Sequence, residues 1–260
     1  MYLQLNSISK VFEETDKETL QDISLTVDKG EFVCIVGPSG CGKSTLLNLV
    51  AGLDTPSGGE IILDDRRVQG PGADRVVMFQ EAALYPWLNV MENVMFGLEA
   101  AGHDKGTQRR IAEKYLRMVQ LWHYRKYPIH QISGGMKQRT ALARALALDS
   151  KLLLMDEPFS ALDKQTINIL RAELEGIWEK TRKTILYVTH SVEEAVYFAD
   201  RVVVMAENPG RIKEIIPIDL PRPRDIETER FVSLRKAILD HVQLSARQSM
   251  AEEFDEEEGA

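Results

Sequence analysis

Residues 37–45 read GPSGCGKST, a spacing of side chains suited to holding a chain of phosphates. Gly37, Pro38, Ser39, Gly40, Cys41 and Gly42 form a loop whose glycines let backbone amides turn toward one anion. The loop follows an apolar run (EFVCIV, 31–36) and opens a helix-forming one, so the partial positive charge of a helix start is added to the amides. In that context Lys43 reaches the β and γ oxygens of a nucleoside triphosphate, the Ser44 hydroxyl binds Mg²⁺ and Thr45 contacts the α-phosphate. Cys41 fills a small position in the loop, where alkylation of its thiol would block the site.

A second set of groups lies downstream. The run KLLLMDEP ends four apolar residues with Asp156 and Glu157, placing carboxylates at the carboxyl edge of a buried strand, where ligands of open α/β sheets gather. Asp156 is expected to hold Mg²⁺ through water, and Glu157, pointing the other way, to orient or deprotonate an attacking water. A third device is HQISGGMKQR at 130–139. Ser133 is a good N-cap, Gly134 and Gly135 expose backbone amides, and strong helix formers follow, so this is a second helix start ready for an anion.

The elements that carry these residues follow from periodicity. The first sixty or so residues alternate short apolar runs with turns, as strands joined by hairpins do. After Gly42 the period becomes helical through Leu46, Leu47, Leu49, Val50 and Leu53, with a stop near Gly52. Further strands are expected at 75–79, 151–156, 184–189 and 201–206, apolar almost throughout as strands covered on both faces are. Helices are expected between them, with an apolar stripe of Ile167, Leu170, Leu174, Ile177 and Trp178 and a capping box from Ser191 to Glu194. This order argues for an α/β fold with a largely parallel sheet. Residues 81–150 offer no strand and at least three helical stretches, and read as a helical insertion. Segment 227–242 reads as an amphipathic helix packed on the core or a neighbour, and the acidic end AEEFDEEEGA as a solvated, disordered tail.

Composition narrows the classes. The chain has 260 residues, 44% of them hydrophobic, enough for an ordinary core. No apolar run approaches the roughly 18 residues of a membrane span, and the start has no signal-peptide pattern. A net charge of −8 disfavours broad contact with nucleic acid. The two cysteines, Cys34 and Cys41, suit a reducing compartment rather than a disulfide framework, and His103, His123, His130 and His241 lack metal-ligand spacing.

The set GPSGCGKST, VMFQE, HQISGGMKQR, LLLMDEP, SALD and VTH, in that order across roughly residues 3–215, resembles the nucleotide-binding subunit of an ABC transporter. The resemblance implies a RecA-like P-loop ATPase core with an antiparallel β subdomain and a helical subdomain insertion. It implies an ATPase domain over 1–215 with the insertion at about 81–150, a C-terminal extension over 216–245 and the tail at 246–260. It also gives roles to single residues. Gln80 touches Mg²⁺ or the attacking water and senses the membrane partner, Asp163 lies in a loop linking two subunits' sites, His190 contacts the γ-phosphate and steadies Glu157, and Phe12 lies under the adenine of ATP. The stretch GPGADRVVMFQEAALYPWLNVMENVMFGL and the later LPRPRD resemble importers of nitrate, taurine, alkanesulfonates and related small molecules. Met136 and Ile132 depart from the broad family pattern, which has Gln and Leu there; the anion contacts belong to Ser133 and backbone amides.

One triphosphate held by the loop at 37–45 does not readily receive the helix end after Ser133 from the same chain. A head-to-tail homodimer, in which each copy caps the other's ATP, resolves this and ties hydrolysis to closure. Leu84, Tyr85, Pro86 and Trp87 after Gln80 are interface-forming types. By the family resemblance this is where one of two transmembrane permease subunits docks, on the cytoplasmic face of the membrane, with an extracytoplasmic solute-binding protein beyond. The alternative, a soluble ATPase that remodels nucleic acid or protein complexes, calls for a long coiled coil between the loop and ISGGM, which this sequence lacks.

Overall fold

The computed structural model describes residues 1–12, 17–160, 162–207 and 209–258, with side chains for all of these except 17 and 245–258. In chain order the strands and helices are β1 (Leu3–Phe12), β2 (Lys17–Val27), β3 (Phe32–Val36), α1 (Lys43–Ala51), β4 (Gly58–Leu63), β5 (Arg66–Arg67) and β6 (Arg75–Met78). These are followed by α2 (Val90–Ala100), α3 (Lys105–Met118), α4 (Gly134–Ala147), β7 (Leu152–Asp156), α5 (Lys164–Thr181), β8 (Thr184–Val188), α6 (Val192–Phe198), β9 (Arg201–Ala206), β10 (Arg211–Pro217) and α7 (Glu229–Glu258). They group into two compact units, Met1–Gly72 with Thr184–Ala260, and Ala73–Lys183.

The first unit contains an antiparallel sheet in which β1 pairs with both β2 and β4, and β4 with β5. Its other strands flank β3, which is parallel to β8 and to β9; β10 adds antiparallel to β9. Every residue of β3 and β8 is buried, as their unbroken apolar runs require. Phe32 of β3 stacks on Phe198 at 5.2 Å, closing the core toward α6. β10 had no expected counterpart: none of its residues is buried, Lys213, Glu214 and Ile215 are exposed in succession and it ends at Pro217, so it lacks the apolar run that marks the buried strands. α7 begins at Glu229, two residues into the expected 227–242 helix, and packs on β9 and α6, burying Phe231 and Ile238. The expectation of a disordered acidic tail at 246–260 concerns residues whose side chains lie outside those described.

The second unit holds the parallel pair β6 and β7, with Met78 opposite Met155, together with α5 and the mutually packed helices α2, α3 and α4. Short 3₁₀ turns at Trp122–Tyr124 and Ile129–Gln131 join α3 to α4. On α5 the stripe buries Leu170, Leu174 and Trp178. Among the described residues no helix is long and apolar enough to cross a membrane.

Candidate active site

The phosphate loop is positioned by β3 on one side and α1 on the other. Gly42, the residue before α1, has φ +89°, and a Cβ there would lie 2.5 Å from Leu20 Cδ2. At Gly37 a Cβ would come within 2.7 Å of the Met205 carbonyl. Glycine is therefore required at both ends of the loop, by conformation at one and by close approach at both. No side chain caps α1 and its first turn holds no acid, so nothing within that turn offsets the positive potential of the helix start. Lys43 is 7% exposed, and its ammonium donates to the carbonyls of Gly37 (2.9 Å) and Pro38 (2.6 Å), inside the loop's own curve. Ser44 is exposed and Thr45 half-buried.

Cys41 departs from expectation. It is 1% exposed, and burial pushes its thiol up, only partly countered by Lys43. It is not a readily alkylated thiol, because the loop folds it inward.

His190 reaches the same edge as the loop. Ile35 of β3 pairs with Val188 of the parallel β8, so Gly37 and His190 leave neighbouring strand ends in step, and Thr189 N–H donates to the Ile35 carbonyl (3.1 Å). The exposed imidazole follows a rigid segment. Glu194, 6% exposed, accepts from the Tyr187 hydroxyl (2.8 Å) and the Thr189 hydroxyl (2.9 Å) through one oxygen, and the Ser191 amide donates to Thr189 Oγ1 (3.0 Å). The 191/194 spacing gives half of the expected capping box: the Glu194 amide donates to Ser191 Oγ (3.3 Å). The Glu194 carboxylate instead braces the strand end before His190. Arg224, 6% exposed, donates to the carbonyls of Val196 and Ala199 (both 2.7 Å), finishing α6, so part of the LPRPRD stretch holds the helix that follows His190. Phe12 is 39% exposed at the end of β1, with Lys10 Nζ 4.9 Å over its ring.

The second unit repeats the device of paired strand ends. Because Met78 faces Met155, Gln80 and Glu157 emerge together, and the Gln80 amide lies 3.4 Å from Glu157 Oε2. Asp156, 7% exposed, ends β7. Glu157 has φ +45°, a left-handed conformation costly for a residue with a side chain, and its carbonyl accepts from Ser160 N (3.2 Å) and Oγ (3.0 Å). Strain of this kind collects at functional positions.

Ser133 caps α4, accepting from the Met136 amide (3.3 Å), and is exposed; a Cβ on Gly134 would meet nothing within 4 Å. α4 is tied to the Gln80 segment by residues that sequence reasoning missed. Gln138, 3% exposed, donates to the Gln80 carbonyl (3.3 Å), and Arg144 to those of Ala83 (2.9 Å) and Ala82 (3.1 Å). The one signal in sequence was polar residues among the alanines and leucines of α4. Fully buried Asn93 does similar work, accepting from the Tyr85 amide (2.9 Å) and donating to the Tyr85 and Asn89 carbonyls (3.2 and 3.0 Å). Trp87 stands 74% exposed beside Tyr85. Asp163 caps α5, and the Thr166 hydroxyl (2.7 Å) and amide (2.9 Å) hold its carboxyl below the usual range. Ala161, in the SALD stretch, lies outside the described residues.

A strand, a glycine loop with a buried lysine, a helix start and an acid-ended parallel strand define a P-loop nucleoside-triphosphate hydrolase with a RecA-like core and an antiparallel β subdomain. The model of the ABC transporter family matches residues 20–160. An uncharacterized ABC transporter ATP-binding protein of Methanocaldococcus jannaschii is 51% identical over 92% of this chain and 90% of that protein. A nitrate import ATP-binding protein of Synechocystis is 44% identical over 91% of this chain and 90% of its own, and a bicarbonate transport ATP-binding protein of Synechococcus elongatus 43% over 92% and 89%. Among solved structures, the dimeric post-hydrolysis state of an ATP-binding cassette with ADP and Pi superimposes with a TM-score of 0.77 at 30% identity, over 84% of this chain and all of that one. The chain belongs to the ABC transporter family, as an ATP-binding subunit with ABC-type ATPase activity.

Proposed function

We propose that the protein is the ATPase of an importer for a small, mostly anionic solute, working as a homodimer beneath two permease subunits at the cytoplasmic face of the membrane. The imported class is that of the relatives named for nitrate and bicarbonate, with taurine and alkanesulfonates alongside. An extracytoplasmic solute-binding protein would deliver the solute. In this reading the loop amides and Lys43 hold the phosphates, with Phe12 under the adenine. The oxygen donors Ser44, Gln80 and Asp156 suit a hard cation, and Mg²⁺ held by them would offset phosphate charge. Glu157 orients and deprotonates the attacking water, with Gln80 fixing its carboxylate and His190 at the γ-phosphate.

The observation that carries the dimer is the start of α4: an exposed Ser133 and an open-sided Gly134 before a first turn with no acid. Such a start suits a phosphate brought by a second copy, with Asp163 in the linking loop, and the dimeric state of the cassette bound to ADP and Pi supports it. The test is reconstitution with the neighbouring membrane subunits in vesicles. ATP hydrolysis must draw in one of these solutes, and mixed Ser133→Arg and Lys43→Ala subunits must retain one working site. Turnover with no solute moved refutes the importer reading, and complete inactivity of the mixture counts against the shared site.

A further inference from the structure

The helical part of the second unit has a charge opposite to that of the chain. Between residues 103 and 130 seven Lys or Arg stand against two acids, whereas the whole chain carries −8. Both acids are engaged locally: Asp104 caps α3, and Glu113 pairs with Arg117 at 2.6 Å. Lys105 and Arg109 share a cleft with Glu99 between α2 and α3. The remaining cations gather along one ridge. Arg110, Lys114 and Arg117 have the spacing of one helix face, and all are exposed. The Trp122 ring then takes two guanidinium groups, Arg117 at 4.7 Å and Arg125 at 4.4 Å, carrying the ridge into the following turn. There Lys126 is exposed, and Tyr124 (41% exposed) and Tyr127 (45% exposed) pack edge-on.

Two like charges on one indole repel each other, and that cost falls when an anionic surface faces them. Long basic side chains interleaved with exposed tyrosines and a tryptophan are the residue set that sits at the headgroup level of a bilayer. The turn is also continuous with the proposed permease dock. The Val90 amide donates to the Tyr127 carbonyl (3.1 Å) and the Met91 amide to that of Arg125 (2.9 Å), so it is fixed to the start of α2, next to Tyr85 and Trp87.

We infer that the ridge from Arg110 through Trp122 to Lys126 is a membrane-contact face that takes the phosphate headgroups of anionic phospholipids. The ridge lies beside the permease and holds the subunit to the bilayer surface independently of it. The inference rests on the importer reading for where the membrane lies, but its test contains no permease, so the two fail separately.

The full chain is sedimented with vesicles of phosphatidylcholine alone or mixed with phosphatidylglycerol. Binding must rise with phosphatidylglycerol and fall as salt is added, because exposed charges are screened. A basic residue near an anionic surface contributes roughly a fivefold factor. Replacing exposed Arg110, Lys114 and Lys126 and half-buried Arg125 by Gln, with folding checked by thermal melting, is therefore expected to lower vesicle partition by roughly 600-fold. Arg110→Lys with Arg125→Lys should keep most of it. Arg66→Gln with Arg67→Gln, an exposed basic pair on β5, should leave partition unchanged. Equal binding to both vesicle types, equal loss in the β5 control, or preference of the ridge for an acidic peptide such as EEFDEEE over the anionic vesicles would each overturn the inference.

Discussion

Replacement of Glu194 by Ala should damage turnover more than nucleotide binding. One buried carboxylate oxygen accepts from both the Tyr187 and Thr189 hydroxyls, at 2.8 and 2.9 Å, and Thr189 in turn receives the Ser191 amide. These residues flank His190 on both sides, so the carboxylate sets where the imidazole starts. Removing the acceptor of a buried hydroxyl costs about 1–3 kcal/mol. Two such losses, partly offset because a buried carboxylate is also removed, give a net destabilisation of roughly 2–4 kcal/mol. For a chain of this size that lowers Tm by roughly 5–15 °C. A displaced catalytic group costs rate rather than ground-state affinity, so kcat for ATP should fall about tenfold or more with KM little changed. Glu194→Gln supplies the decisive comparison, since its amide oxygen can still accept from both hydroxyls and should recover most of the loss. Calorimetry and steady-state ATPase assays on the three proteins decide it. If Gln is as harmful as Ala, or if Ala leaves kcat intact, the bracing role is wrong.

Asn93→Ala removes the buried amide that bonds the Tyr85 and Asn89 backbone, and should cost about 2–4 kcal/mol by leaving those groups unsatisfied; melting measures the cost, and weaker co-purification with the permease subunits would follow from loosening Trp87. Burial raises the Cys41 thiol, so less thiolate is present at neutral pH than in a free cysteine. Its alkylation by iodoacetamide should therefore be slower than that of glutathione and should climb as pH rises into the alkaline range, as followed by mass spectrometry; rapid modification at neutral pH would contradict the buried placement.

The parts of the fold that sequence disclosed are those set by local rules. Unbroken apolar runs announced β3, β7, β8 and β9 because strands covered on both faces have no polar side to show. Gly42 and Gly52, both at positive φ, bracket α1 where the pattern broke. The phosphate loop was readable because its glycines are fixed by backbone geometry and its lysine by chemistry. What stayed hidden depends on tertiary partners. Asn93, Gln138 and Glu194 look like ordinary polar helix residues until the carbonyls, amides and hydroxyls they reach are known. The half-formed capping box at Ser191 is instructive: spacing correctly placed the helix start, but two buried hydroxyls claimed the carboxylate. The left-handed backbone of Glu157 also left no mark, since nothing in that residue type predicts positive φ. Cys41 was misread as reachable for a related reason, because a loop position does not disclose which way its side chain is turned.

We assign the hydrolytic step to Glu157, held beside Gln80 at the end of β7, and nucleotide binding to other groups. The most direct measurement is single-turnover ATP cleavage by Glu157→Gln, alongside nucleotide binding and size-exclusion chromatography with ATP and Mg²⁺. Removing a general base should slow cleavage by roughly 10²–10⁴-fold, while ATP affinity is kept and the bound form runs as a dimer. Cleavage within a few-fold of the unaltered protein, or loss of ATP binding itself, would contradict that assignment.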